Sequence, residues 1–137
     1  MTPQQVIIVK RTWKQFRDMD PAIVGDAFYS KLFSGQPAIR RMFPKDMNAQ
    51  YKKLMDMLST IVMRLDNFDK ISADIEAMGL RHASYNVKPS QYALVGEALL
   101  WTLEKGLGNG WNEEVKEAWT TCYNALAEIM INASSNK

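Results

Sequence analysis

The stretch DIEAMGLRHASYNVKPSQYALVGEALLWTL, residues 74–103, decides the fold. Ile75, Met78 and His82 recur three and four residues apart, which places them on one face of a helix. Asn86 to Pro89 interrupts the pattern, because proline cannot continue a helix and restrains the residue before it. Tyr92, Val95, Leu99 and Leu103 then form a second stripe at the same period. Neither half alternates with period two, so neither reads as a strand.

The same reading extends in both directions. Upstream, Leu54, Leu58, Ile61 and Leu65 make a long stripe, and Gln50 shares it by lying four residues before Leu54. Thr2-Pro3 with Gln5, and Asp20-Pro21, are helix starts of the cap-plus-proline kind. Gly35 ends the helix that carries Tyr29 and Phe33, and Pro37 opens a short turn to Phe43. Downstream, Gly108-Asn109-Gly110 is a turn and Asn112 caps a last helix, with Glu113 and Glu114 favourable in its first turn. The class is all-α, in six to eight helices with short connections. Periodicity alone leaves a bundle and a globin-like packing equally open.

At 137 residues the chain reads as one domain over residues 1–137, with room for one core. Hydrophobic residues at 47% and charged residues at 23% are those of an ordinary globular chain. The net charge of +2 is too small to argue for nucleic acid or an anionic membrane. The basic pairs Lys10-Arg11, Arg40-Arg41 and Lys52-Lys53 read as solvent-facing. The lone Cys122 forms neither an internal disulfide nor a cysteine-based metal site. With no secretory leader and no apolar run of membrane-spanning length, the expectation is a cytoplasmic protein.

The chemistry turns on the single histidine. Taken alone, a histidine on an apolar face is a core residue with a backbone hydrogen bond. One histidine and one cysteine are too few ligands for a mononuclear zinc site. Haem differs, because the macrocycle supplies four nitrogens and one imidazole completes the proximal side. A second imidazole is not available to close the distal side. Tyr29 and Gln50 are polar residues on otherwise apolar stripes, and both are suitable donors to a bound diatomic ligand.

Several segments carry a resemblance. Phe28-Tyr29-Ser30-Lys31-Leu32-Phe33, then Pro37, then Phe43, resembles the B helix to C–D corner of bacterial haemoglobins. Gln50 and Leu54 match the distal pattern, and Arg81-His82 followed by Val87-Lys88-Pro89-Ser90-Gln91-Tyr92 matches the proximal motif. Glu117-Ala118-Trp119 with Tyr123 resembles the last helix. The chain is identified as similar to the single-domain haemoglobins of the flavohaemoglobin and Vitreoscilla-type globin family, from about Pro3 to about Asn132.

The resemblance implies a globin fold around haem b, iron protoporphyrin IX. It implies His82 as the iron ligand, Phe43 on the haem face, Tyr29 as distal donor with Gln50 beside it, and Leu54 crowding the iron. Arg81 is implied near a propionate, Tyr92 as a proximal brace, and Met57, Met78, Val87, Val95, Trp119 and Tyr123 as lining; Lys53, of the solvent-facing Lys52-Lys53 pair, is long enough to reach a propionate. One departure stands out: the family's glutamate near the end of the last helix has no counterpart in Ile131-Asn132-Ala133-Ser134-Ser135, and Glu128 lies more than a turn earlier. Without that partner, reversible ligand binding is expected rather than peroxidase-like chemistry. The implied function is reversible dioxygen binding, for storage or transport. The alternative is nitric oxide dioxygenation, which needs a separate reductase.

Overall fold

Local capping sets the helix starts. The Thr2 hydroxyl accepts from the Gln5 amide at 3.1 Å, and the Gln5 side chain accepts from the Thr2 amide at 2.9 Å. The Asp20 carboxylate accepts from the Ala22 amide at 2.9 Å, and the Asn112 side chain from Val115 at 2.9 Å. Each bond satisfies an amide that the first helical turn leaves unpaired.

The computed structural model describes residues 1–135. Its α-helices are α1 (Pro3–Arg17), α2 (Pro21–Gly35), α3 (Asn48–Met63), α4 (Phe68–Ser84), α5 (Pro89–Leu107) and α6 (Glu113–Ser135). Short 3₁₀ segments lie at Pro37–Met42, Leu65–Asn67 and Gly108–Gly110. No strand occurs among the described residues. The sequence stripe of α3 runs on to Leu65, but the helix stops at Met63. The Arg64 amide reaches back three residues to Ile61, tightening the chain into the 3₁₀ turn in which Leu65 is buried.

The core joins α1 to α6 and α3 through buried polar links as well as apolar packing. The Trp119 indole donates to the Thr12 hydroxyl at 2.8 Å, which itself donates to the Ile8 carbonyl at 2.8 Å. The Trp13 indole donates to Ser59 at 2.9 Å. Thus Trp119 belongs to the α1–α6 contact. Helix α2 packs on α3 and α5, while α4 packs on α6.

Glycine permits two of these crossings. A β-carbon on Gly79 would stand 2.6 Å from the Met130 backbone, and one on Gly25 would stand 2.5 Å from the Tyr51 ring. Gly79 therefore fixes how closely α4 lies on α6, and Gly25 how closely α2 lies on α3.

Cys122 is 2% exposed, and burial pushes its thiol up to about 12 from an ordinary 9.0. The unfolded chain therefore loses its thiol proton first as pH rises. The thiol's contribution to stability should be level below pH about 9 and fall above it by up to about 1.4 kcal/mol per pH unit until the folded thiol also ionises. Denaturant unfolding between pH 9 and 10 checks this against Cys122→Ala, in which the fall should be shallower, the remainder coming from the buried tyrosines Tyr29, Tyr92 and Tyr123.

Candidate functional site

Helices α3 and α4 are consecutive, yet each packs chiefly on other helices, and a crevice of about 270 Å³ stands between them. Its floor is Met57, Ile61, Ile71, Ile75 and Met78, and exposed charges at the rim include Asp56, Arg64, Asp74 and Arg81. An apolar slot with a charged mouth suits a flat apolar group with ionised edges.

His82 sits half-buried in the last turn of α4. Its Nδ1 lies 2.7 Å from the Met78 carbonyl oxygen. A carbonyl only accepts, so Nδ1 carries the hydrogen and the neutral ring keeps its lone pair on Nε2. That is the tautomer a metal-binding imidazole needs, already oriented by its backbone partner. The helix ends directly afterwards: Asn86 takes a left-handed φ of 66°, and the Val87 amide returns to the His82 carbonyl at 3.1 Å.

Tyr29 is 5% exposed in α2 and heads an aromatic cluster. Phe28 meets it edge-on at 4.9 Å between ring centres, Phe43 edge-on at 5.3 Å, Phe33 at 5.8 Å and Tyr51 at 6.0 Å. Gln50, in the first turn of α3, donates its side-chain amide to the Tyr29 hydroxyl oxygen at 2.9 Å. The tyrosine's own hydrogen is not used in that bond, so the phenol remains a donor. Burial raises the Tyr29 pKa, the Gln50 bond opposing in part, which keeps it protonated at neutral pH.

The remaining sequence-derived residues fall into three groups. Met57, Met78 and Arg81 line the crevice. Leu54 is buried in α3, one turn beyond Gln50, while Lys53 is exposed. Tyr92 is buried and Val95 half-buried on α5, and Val87 is half-buried in the α4–α5 link. Tyr92 is braced through its carbonyl, which accepts from the Tyr123 hydroxyl at 2.7 Å, while the Tyr123 ring lies where a Gly96 side chain would be. The α6 residues Ile131–Ser135 bring no carboxylate, Glu128 is exposed, and the ring partner of His82 is the neutral Met78 carbonyl.

Sequence reasoning missed Phe33 and Tyr51 as packing partners of Tyr29, and it misread Arg40. The Arg40-Arg41 pair does not face solvent as a pair. Arg41 is exposed, but Arg40 is half-buried because its guanidinium satisfies three loop carbonyls: Phe43 at 3.1 Å, Pro44 at 2.9 Å and Lys45 at 3.2 Å. The aromatic residues around it were visible as an apolar helix face, but not as neighbours across a crossing.

An apolar crevice between α3 and α4, lined by Met78 and Arg81 close to the imidazole of His82 along α4, and a separate pocket lined by Tyr29, are the features that a helical cofactor-binding protein would offer. The globin family model matches residues 26–130, and the chain belongs to the globin family, which implies haem binding. It is 27% identical over 135 residues to a flavohemoprotein of Vibrio cholerae, covering 96% of this chain and 34% of that protein. The chain thus spans about a third of the length of the flavohemoproteins it matches. It is 29% identical to a globin-like protein of Aquifex aeolicus, covering 96% of this chain and 92% of that one. Among solved structures it resembles an engineered carbene transferase from Rhodothermus marinus, whose parent carries a provisional nitric oxide dioxygenase assignment. That likeness has a TM-score of 0.87 at 26% identity, over 99% of this chain and 94% of that one. No helix among the described residues is long and apolar enough to cross a membrane.

Proposed function

We propose that the chain is a haem b globin that binds dioxygen reversibly, with His82 as the proximal ligand and Tyr29 as the distal donor. The observation that carries the reading is the His82 ring. Its Nδ1–H is committed to the Met78 carbonyl at 2.7 Å, which leaves Nε2 as an oriented lone pair on the helix whose Met78 and Arg81 line the apolar crevice. When bound, ferrous haem supplies an open coordination position for a diatomic ligand.

The chain's residues do the rest. His82 Nε2 holds the iron from the α4 side. Phe43 offers a ring to the macrocycle, and Leu54, Met57, Met78, Val87, Tyr92 and Val95 keep water from it. Arg81 and Lys53 complement the propionates with opposite charge. Gln50 holds the Tyr29 oxygen, so the phenol hydrogen is aimed rather than free to rotate. A ligand that draws negative charge, as dioxygen does, gains most from such a donor. The neutral carbonyl partner leaves His82 a moderate electron donor, which suits reversible binding better than breaking an O–O bond.

A second reading is favoured by the flavohemoprotein relatives and the Rhodothermus neighbour: nitric oxide dioxygenation in a cytoplasmic setting, with electrons from a separate reductase. Nitric oxide consumption by the oxygenated protein separates the two. A carrier consumes one equivalent and stops, even with a flavin reductase and NADH present. Sustained consumption over many equivalents with the reductase, and a single burst without it, would make the protein a catalyst.

A further inference from the structure

We infer that Arg40 is a positioning residue for the distal side of the pocket, acting through the loop that carries Phe43. The inference rests on the haem reading above but on a different set of contacts. Residues 43–47 link the 3₁₀ segment to α3 without forming a regular element of their own. Consecutive carbonyls in such a link need partners, and Arg40 supplies them. One guanidinium nitrogen donates to Phe43 at 3.1 Å and Pro44 at 2.9 Å, and the other to Lys45 at 3.2 Å. The chain is thereby wrapped around a single planar, permanently charged group.

The same guanidinium lies over the Phe33 ring, 5.4 Å from its centre. Phe33 packs on Phe43 at 5.6 Å, both rings pack on Tyr29, and Tyr29 accepts from Gln50. A continuous run of contacts therefore leads from Arg40 to the phenol that faces the ligand. Arg40 makes its contacts with loop carbonyls and the Phe33 ring. It fixes where the Phe43 ring stands, and the Phe43 ring fixes the tilt of Tyr29. Lysine carries its three donors on one compact ammonium at the end of a flexible stem, so it does not reproduce the spread of the guanidinium's two nitrogens over three carbonyls.

The test compares wild type, Arg40→Lys and Arg40→Ala. In the haem-free chain, exchange of the bonded amides of Phe43, Asn48 and Tyr51, which enclose the loop, should quicken by about tenfold in Arg40→Ala and by less in Arg40→Lys, with α1 and α6 unchanged. In the haem-reconstituted proteins, dioxygen release should quicken by about five- to tenfold in Arg40→Ala. Exchange and release both within about twofold of wild type would overturn the inference. Faster exchange with unchanged release would also overturn it, leaving Arg40 as a loop staple with no hold on the distal side. A wild type that takes up no haem sinks the haem reading itself, and this role with it. A wild type that binds haem while the variants behave identically sinks only the role of Arg40.

Discussion

The His82→Gly variant should lose haem affinity by at least about a thousandfold, equivalent to about 4 kcal/mol. No second imidazole exists in the chain to replace the lost ligand. Helix α4 itself should persist, because its contact with α6 runs through Gly79 and Met130 rather than through the ring. Far-ultraviolet circular dichroism should therefore match that of wild type while haem titration does not. Free imidazole added to the variant should restore much of the spectrum, since the crevice and the Met78 carbonyl remain to receive it. A variant that keeps wild-type affinity would remove His82 from the site.

Changing Tyr29 to Phe should quicken dioxygen release by about ten- to a hundredfold, the worth of one hydrogen bond of about 1.5–3 kcal/mol to a charged acceptor. The packing of the ring survives the change, because Phe28, Phe33, Phe43 and Tyr51 contact the aromatic face rather than the hydroxyl. What is lost is the donor, and with it the acceptor of Gln50. Gln50 can swing toward the ligand in the variant, which sets the lower end of the range. Wild-type release should also stay level as pH rises through neutrality, since burial holds the Tyr29 proton above the usual tyrosine range. Stopped-flow displacement of dioxygen by carbon monoxide measures both. Release unchanged in Tyr29→Phe would give the donor role to another group.

Local signals were legible in the sequence because their partners are close along the chain. The caps at Thr2, Asp20 and Asn112 act within three residues, and all three form as read. The stripes likewise put Tyr29, Leu54, Ile75 and Leu103 inside the molecule. What the pattern could not show was anything decided by a crossing or by a carbonyl. Tyr51 packs where α2 and α3 meet over Gly25, and sequence spacing does not reveal which rings meet there. Arg40 looked like a solvated charge because its partners are backbone oxygens, which every residue has. His82 illustrates the limit best. The bland expectation, a backbone hydrogen bond, is met by Met78, and the same bond leaves the other ring nitrogen free, as the proposed iron ligation requires. Family resemblance, not periodicity, is what favours the second reading.

The missing carboxylate near the end of α6 has a counterpart in the structure. Tyr123 secures Tyr92 through its carbonyl, and the His82 ring is held by a carbonyl of its own helix, so neither bond uses a charged group.

The absorption spectrum of the purified chain, reduced, exposed to air and reduced again, tests the central claim most directly. A Soret band that shifts on oxygenation, returns on deoxygenation, and is absent or displaced in His82→Gly is the expected result. A chain that takes up no haem even after reconstitution, or one whose spectrum is the same in the variant, would contradict it.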